Sequence, residues 1–361
     1  MFSHRGSYLK FYQILCHGAL PVDMRRRSIK TMRKICSLNA IYPPAFLIPP
    51  GSVKVCNATQ AACGGFGKVY RGELHGRAVA IKVANSDVMH MKSSFNDITG
   101  LFSGEAVIWR YLEHPNILPF YGVDTELFPM SCVSKWMAGG TIDVYLCNNQ
   151  AENRIRLASY VAIGVARGLE YLHLHNIRHG DLKSRNIMVD ETGEAYIGDF
   201  GAAQFAYPAD TNSLSTASLS VGTAPWMPPE VFKAWLEEGQ TYRQTTKVDI
   251  YSFAMVVWEL FTGWIPFRHL VSSDMVSTLV MKGMRLKPRP PATIPLGLSD
   301  TIWELMQKCW SQDPEARPTA ASIVVSLDGE NWHARQLGTP SEWPLPLRYR
   351  RMESSSSGLI R

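Results

Sequence analysis

The sequence predicts an α+β protein of two lobes, a small antiparallel β-rich lobe followed by a larger, mainly helical one. Three observations carry this. From Val53 to Ala84, short β-type runs such as "KVYRGEL" and "RAVAIKVA" are separated by glycines, the pattern of an antiparallel meander. After Leu157 the apolar residues Leu157, Val161, Val165, Leu169 and Leu172 recur at the three-and-four spacing of one helix face. A further apolar run, Ile250 to Phe267, carries Glu259 inside it and lacks the uncharged length of a membrane span, so it reads as a buried helix.

In chain order, residues 1–51 form a basic extension and a Pro-rich linker. Tyr8 to Leu20 is apolar, but Lys10, Gln13 and His17 interrupt it, which disfavours a secretory signal. The run "MRRRSIKTMRK" follows and reads as a solvated arm, and the prolines of "YPPAFLIPPG" break any continuing helix. Residues 52–327 hold the main domain. Residues 328–361, rich in Pro, Ser and Arg without periodicity, are expected to be a disordered tail.

With 46% hydrophobic and 19% charged residues, wholesale disorder is excluded. The net charge of +6 is unevenly placed. Residues 1–36 hold eight Lys/Arg against Asp23, and residues 331–361 hold five Arg against Glu342 and Glu353, so the body between them is net acidic. Nucleic acid is therefore not expected as a main partner. The basic extension leaves room for a weak contact with anionic lipid or an acidic partner. Seven cysteines, odd in number and without a C-x-x-C pair, indicate neither a disulfide framework nor a zinc site. A reducing, cytoplasmic location is expected, and no transmembrane segment.

The chemistry begins at "ACGGFGKVYRG". Gly64, Gly65 and Gly67 let backbone approach phosphates, and Phe66 can cap the loop. Alone this is as compatible with a Gly-rich hairpin. A dinucleotide loop requires a helix next, whereas Val69 and Tyr70 continue as strand. In "RAVAIK", alternation puts Val79, Ile81 and Val83 on one face and Ala80 and Lys82 on the other. Lys82 can then reach the phosphates of a nucleotide lying over Ala80, although a lone strand lysine is ordinarily just solvated. Glu105 opens a stretch in which Ala106, Trp109 and Leu112 share a helix face; by itself it is an exposed helix glutamate.

The string "HGDLKSRNIMV" is stronger. Asp181, Lys183 and Asn186 sit in a short polar loop between a helix ending near His175 and the apolar run Ile187 to Val189. Past them, after "AYIG", stands "DFG", Asp199 to Gly201. A carboxylate to orient a hydroxyl, a lysine for a transferred phosphoryl group, and an Asn with a second Asp to hold Mg²⁺ are what phosphoryl transfer requires. Each alone is an ordinary turn residue; the order and spacing are not.

On these residues, over roughly Val53 to Leu327, the chain resembles the eukaryotic protein kinases. "HPNILPFYGV", "DIYSFAMVVWEL" and "CWSQDPEARPTA" look most like the tyrosine-kinase-like group of serine/threonine kinases, of the kind expanded in mushroom-forming fungi. The resemblance implies the bilobal protein kinase fold, with Glu105 on helix C. It implies ATP and Mg²⁺ as cofactors and protein Ser/Thr hydroxyls as acceptors. Asp181 would orient the hydroxyl, Lys183 neutralise the moving phosphoryl, and Asn186 and Asp199 hold the metal. The glycine loop, Ala62 to Val69, and Lys82, paired with Glu105, would hold the phosphates. Val69, Ala80 and Met188 would sandwich the adenine, Lys135 and Met137 supply hinge hydrogen bonds, and Ser134 guard the back of the pocket. Trp109, Phe120, His179 and Phe200 would stack as a column between the lobes. Glu230 and Arg317 would form a structural pair, with Asp249 opening the central helix.

Three positions depart from the family. Ala62 stands for the first loop glycine, Gly180 for the arginine before the catalytic aspartate, and Pro228 for the alanine of A-P-E. The first two motivate an alternative reading, a catalytically weak pseudokinase serving as an ATP-binding scaffold. Gly180 also removes a common phosphate receptor, and Asp199 to Glu230 contains no Lys or Arg, so activation without phosphorylation of that segment is expected.

Overall fold

Alternation in the first half of the chain builds a sheet whose two faces have different fates. The computed structural model describes residues 21–56, 62–64, 67–84, 95–128, 131–148, 154–206, 223–236, 245–270, 272–286, 289–294 and 297–329. Strands β1 (Val53–Val55), β2 (Ala62–Gly64), β3 (Gly67–Leu74), β4 (Arg77–Ala84), β5 (Phe120–Asp124) and β6 (Ser131–Lys135) form one antiparallel sheet in the order β1-β3-β4-β6-β5, with β2 on β3. Val53, Val79, Ile81 and Val133 bury one face in a small apolar cluster. Ala80 and Lys82, in the opposite phase, turn to the other face, where Lys82 meets Glu105 of helix α2 (Phe95–Arg110).

The larger lobe is built on helices α3 (Ile142–Asn148), α4 (Arg154–Leu174), α5 (Pro229–Leu236), α6 (Lys247–Thr262), α7 (Ser273–Met281), α8 (Asp300–Cys309) and α9 (Ala320–Asp328). Every residue of α6 from Val248 to Thr262 is buried, including the paired Asp249 and Glu259, because this mostly apolar helix is the axis of the lobe. Short strands edge the cleft between the lobes. β7 (Gly140–Thr141), β9 (Ile187–Val189) and β10 (Ala195–Ile197) pair in the order β10-β9-β7, and β8 (Ile177–Arg178) pairs with β11 (Gln204–Phe205). The bilobal α+β architecture is the one the sequence predicts.

The N-terminal stretch differs from expectation. Residues Val22–Asn39 are not a solvated arm but a helix, α1, lying along α2. Ile29, Met32 and Cys36 recur on one face and are buried in the main core, each large side chain stabilising by roughly 1.5–3 kcal/mol. Arg25, Arg27 and Lys34 fill the exposed side. The basic composition thus hides an amphipathic helix. The helix ends at Asn39 on a left-handed Ala40, ahead of Pro43, and the segment beyond is also held: Phe46 is buried edge-on to Tyr111, 6.1 Å between ring centres, and the Ile48 N–H donates to Val123 O on β5.

Candidate active site

Lys82 projects from β4 into the cleft, and its ammonium is held from two sides. Nζ lies 2.8 Å from Glu105 Oε1 on α2 and 2.9 Å from Asp199 Oδ1 after β10. Burial works to lower the Lys82 pKa, but the Asp199 and Glu105 carboxylates win and hold it above the ordinary lysine value. Burial raises Glu105, against the pull of Lys82. For Asp199 the contacts with Lys82 outweigh burial and the carboxyl is lowered. Lys82 and Asp199 are thus favoured in their charged forms, while burial and Lys82 pull Glu105 in opposite directions in a site largely closed to water. Asp199 itself sits at φ 62°, a left-handed backbone for a non-glycine residue, of the strained kind found at functional turns.

The loop between β8 and β9 gathers the second charged set. Lys183 Nζ donates to Asp181 Oδ2 at 2.8 Å and to Thr223 Oγ1 at 2.9 Å. Asn186 Nδ2 donates to Asp181 O at 2.7 Å and to Oδ2 at 3.1 Å. Asp181 Oδ1 is buried with no hydrogen-bond partner among the described residues. Burial raises the Asp181 pKa while Lys183 opposes it. One carboxylate oxygen is thus pinned and the other is an acceptor in waiting.

The loop is hung from α6. Asp249, at the start of that helix, accepts from the His179 and Gly180 N–H groups at 2.9 and 2.8 Å and pairs with His173 Nε2 at 2.9 Å. Gly180 adopts φ 81°, and a Cβ there would meet Ala202 O at 3.0 Å, so glycine fits where a side chain is strained. Trp109 stacks on Phe120 and packs on Phe200, with centroids 5.0 and 5.8 Å apart, and Phe200 meets His179 edge-on at 5.4 Å. The column expected from the resemblance is present.

Of the residues expected to wall the adenine, Val69 and Ala80 lie half-buried on β3 and β4, with Val69 opposite Lys82 in register, and Met188 is half-buried on β9. Ser134 is buried on β6 between Phe120 and Ala80. At the hinge, the Lys135 N–H donates to Pro119 O and Met137 O accepts from Gly140 N–H. Ala62 and Gly64 lie on β2, opposite Val69 and Gly67; Gly65 and Phe66 lie outside the described residues.

Farther out, Arg317 is buried and grips Glu230 with two bonds, 2.6 and 2.8 Å, while also donating to Lys247 O and Ser311 O. Pro228 precedes α5 and its carbonyl accepts from the Val231 N–H; at a helix start its missing N–H costs nothing. Two groups escaped the sequence reading. Glu259, noticed only as a charge in an apolar run, accepts from Ser184 Oγ and Trp226 Nε1 at 3.0 and 2.7 Å. Arg33 of α1 stands in electrostatic contact with Glu105 and Arg178, and no motif marks it.

The family model for protein tyrosine and serine/threonine kinases matches residues 56–327. The chain is 32% identical over 269 residues to the serine/threonine-protein kinase STY17 of Arabidopsis thaliana, covering 74% of this chain and 43% of that protein. It is 32% identical over 270 residues to the human serine/threonine-protein kinase TNNI3K, covering 73% and 30%. To the serine/threonine/tyrosine-protein kinase HT1 of Arabidopsis thaliana it is 30% identical over 273 residues, covering 74% and 64%. This chain belongs to the protein tyrosine and serine/threonine kinase family, within its tyrosine-kinase-like group. It spans less than half the length of STY17 and TNNI3K.

Proposed function

We propose that the chain is a protein serine/threonine kinase that transfers the γ-phosphoryl group of Mg-ATP to protein hydroxyls. The observation that carries this is Asp181, whose Oδ2 is fixed by Lys183 and Asn186 while Oδ1 stays buried and without a partner among the described residues. A substrate hydroxyl donating to Oδ1 is oriented for attack. Its oxygen forms the bond to the γ-phosphorus, the bond to the β-phosphate oxygen breaks, and the proton passes to Asp181. Lys183 supplies a positive charge beside the path, and Thr223 helps to fix it. Lys82 orients the α and β phosphates. At the hinge, the Lys135 carbonyl and Met137 N–H are the groups offered to an adenine edge, with Val69, Ala80 and Met188 as the apolar walls.

The donor set suits Mg²⁺. Asn186 turns its Nδ2 to Asp181, which directs its amide oxygen away, and Gly198 N–H donates to Asn186 O, bringing Asp199 beside it. Among the described residues no cluster of three or more His, Cys, Asp or Glu is placed to hold a metal alone. Phosphate oxygens and water complete the shell of Mg²⁺ in such sites. When bound, the ion neutralises phosphate charge.

The reading extends to a cytoplasmic enzyme of intracellular signalling, with protein rather than nucleic-acid partners. The exposed Arg25 and Lys34 of α1 are groups that would give it a weak attraction to anionic lipid or an acidic partner. The assembled Lys82–Glu105 pair speaks for an enzyme over an ATP-binding scaffold. Phosphorylation of a Ser-containing peptide with labelled Mg-ATP, wild type against Asp181→Asn, is the test. Transfer lost in the variant is expected; equal transfer by both proteins would refute the assignment.

A further inference from the structure

α1 lies before the residues that match the kinase family, which begin at Cys56, yet it is fastened to parts that the chemistry depends on. Its close contact is with α2. Gly100 and Gly104, one turn apart on α2, present no side chain to it, and a Cβ at either would overlap the backbone carbonyl or the hydroxyl of Ser37. The Arg33 side chain crosses Gly104, with Nε 3.4 Å from where that Cβ would stand. Its charge is thereby brought within electrostatic reach of Glu105, the next residue and the partner of Lys82.

The other attachments keep α1 from moving with α2 as a loose pair. Arg26 Nη2 donates to Leu174 O at 2.6 Å, which ties α1 to the end of α4 in the larger lobe. Tyr111 Oη lies 3.9 Å from Met32 Sδ. Through Phe46 and Ile48, the chain that follows is fixed to Tyr111 and to β5. Outward displacement of α2 would break the Lys82–Glu105 contact, which a kinase needs in place. It would also have to expose Ile29, Met32 and Cys36 or carry α1 off α4.

We propose that α1 is a built-in brace that holds α2 where Glu105 grips Lys82, with Arg33 as its positioning residue. Burial of the Glu105 carboxylate gives the added cation a purpose. Arg33 remains charged near neutrality, although burial first and Arg178 next lower its pKa to about 10 against the pull of Glu105.

The catalytic consequence rests on the kinase reading above; the effect on nucleotide affinity does not. The test uses the full chain with Gly100→Ala/Gly104→Ala, which wedges α1 away while favouring the helical state of α2, and with Arg33→Ala, Arg33→Lys and the exposed control Arg27→Ala. Fluorescent ATP-analogue affinity with Mg²⁺, kcat and peptide KM are measured on protein shown to be folded by circular dichroism. The wedge and Arg33→Ala are expected to weaken nucleotide binding and to lower kcat by roughly tenfold or more with peptide KM little changed. Arg33→Lys should recover most of both, and Arg27→Ala should match wild type. Wild-type affinity in the wedge variant, equal losses for Arg33→Ala and Arg33→Lys, or the same loss in Arg27→Ala would overturn the brace. If Asp181→Asn kept full turnover, the kinase reading would fail while the affinity measurements still decided the role of α1.

Discussion

Serine at position 134 is buried on β6 beside Phe120 and Ala80, at the back of the proposed adenine pocket. A small side chain at that position is expected to leave the back of the pocket open. Inhibitors carrying a bulky group past the adenine amine are therefore expected to bind. Ser134→Met should weaken them by about tenfold or more while leaving KM for ATP nearly unchanged, because the added volume meets only the inhibitor. Equal losses for ATP and inhibitor in a competition assay would disprove the placement. Glu259 makes a second prediction at this scale. Burial raises its pKa to about 8, against the hydrogen bonds from Trp226 and Ser184. Unfolded, the carboxyl titrates near its ordinary value of 4.5, so between the two values the native state holds a proton that the unfolded chain has lost. Its contribution is full below about pH 4.5 and is lost as pH rises through about 8, by at most ~1.4 kcal/mol per pH unit. Glu259→Gln keeps a donor and an acceptor and should flatten this part of the slope. Urea unfolding at pH 6 and pH 8 measures it, and parallel slopes for the two proteins would contradict it.

Between elements, a two-bonded cross-link outside the cleft runs from Arg317, in the turn before α9, to Glu230 at the start of α5. Arg317 also holds two backbone carbonyls, of Lys247 and Ser311, and lies 5.3 Å from the Tyr251 ring centre. Four acceptors around one buried guanidinium make truncation expensive. Arg317→Ala should cost ~3–5 kcal/mol, read as a fall in melting temperature, with kcat per folded molecule little affected. A variant that melts with wild type would show the pair to be dispensable. Asp249 works similarly between α6 and the loop after β8, its charge secured because the bonds from His173 and Gly180 outweigh burial, and so the loop geometry is inherited from a buried helix of the lobe.

For the whole molecule, the arrangement of lobes bears on regulation. Thr211, Ser213, Ser215, Thr216, Ser218 and Ser220 lie outside the described residues, and Asp199 to Glu230 offers no basic residue to receive a phosphate. Arg178 is the nearest cation to Gly180; it is buried and its Nη2 donates to Gln204 Oε1 on β11. With Glu105 already paired to Lys82 and α1 against α2, activity is expected not to require phosphorylation of that segment. Phosphatase-treated protein should keep its initial rate on a peptide within roughly tenfold. A larger loss restored by rephosphorylation would overturn this and point to Arg178 as the receptor. Among the described residues no helix is long and apolar enough to cross a membrane.

The lobes, the strand meander, α4 and α6 were legible in the sequence because each is written in local patterns, and α6 announced its burial by a long, nearly uninterrupted apolar run. Lys82, Asp181, Lys183, Asn186 and Asp199 were legible because the chemistry proposed for them occupies short strings whose order is itself the signal. What local patterns cannot report is which surfaces meet. α1 reads as a basic arm because a run of cations dominates it, and only packing against α2 and the core turns Ile29, Met32 and Cys36 inward. Gly180 reads as a missing arginine, whereas the fold shows a left-handed turn pressed against Ala202. Glu259 reads as a flaw in an apolar helix until Ser184 and Trp226 arrive from other elements. In each case the deciding partner is distant in sequence, and contact between distant residues is settled by packing.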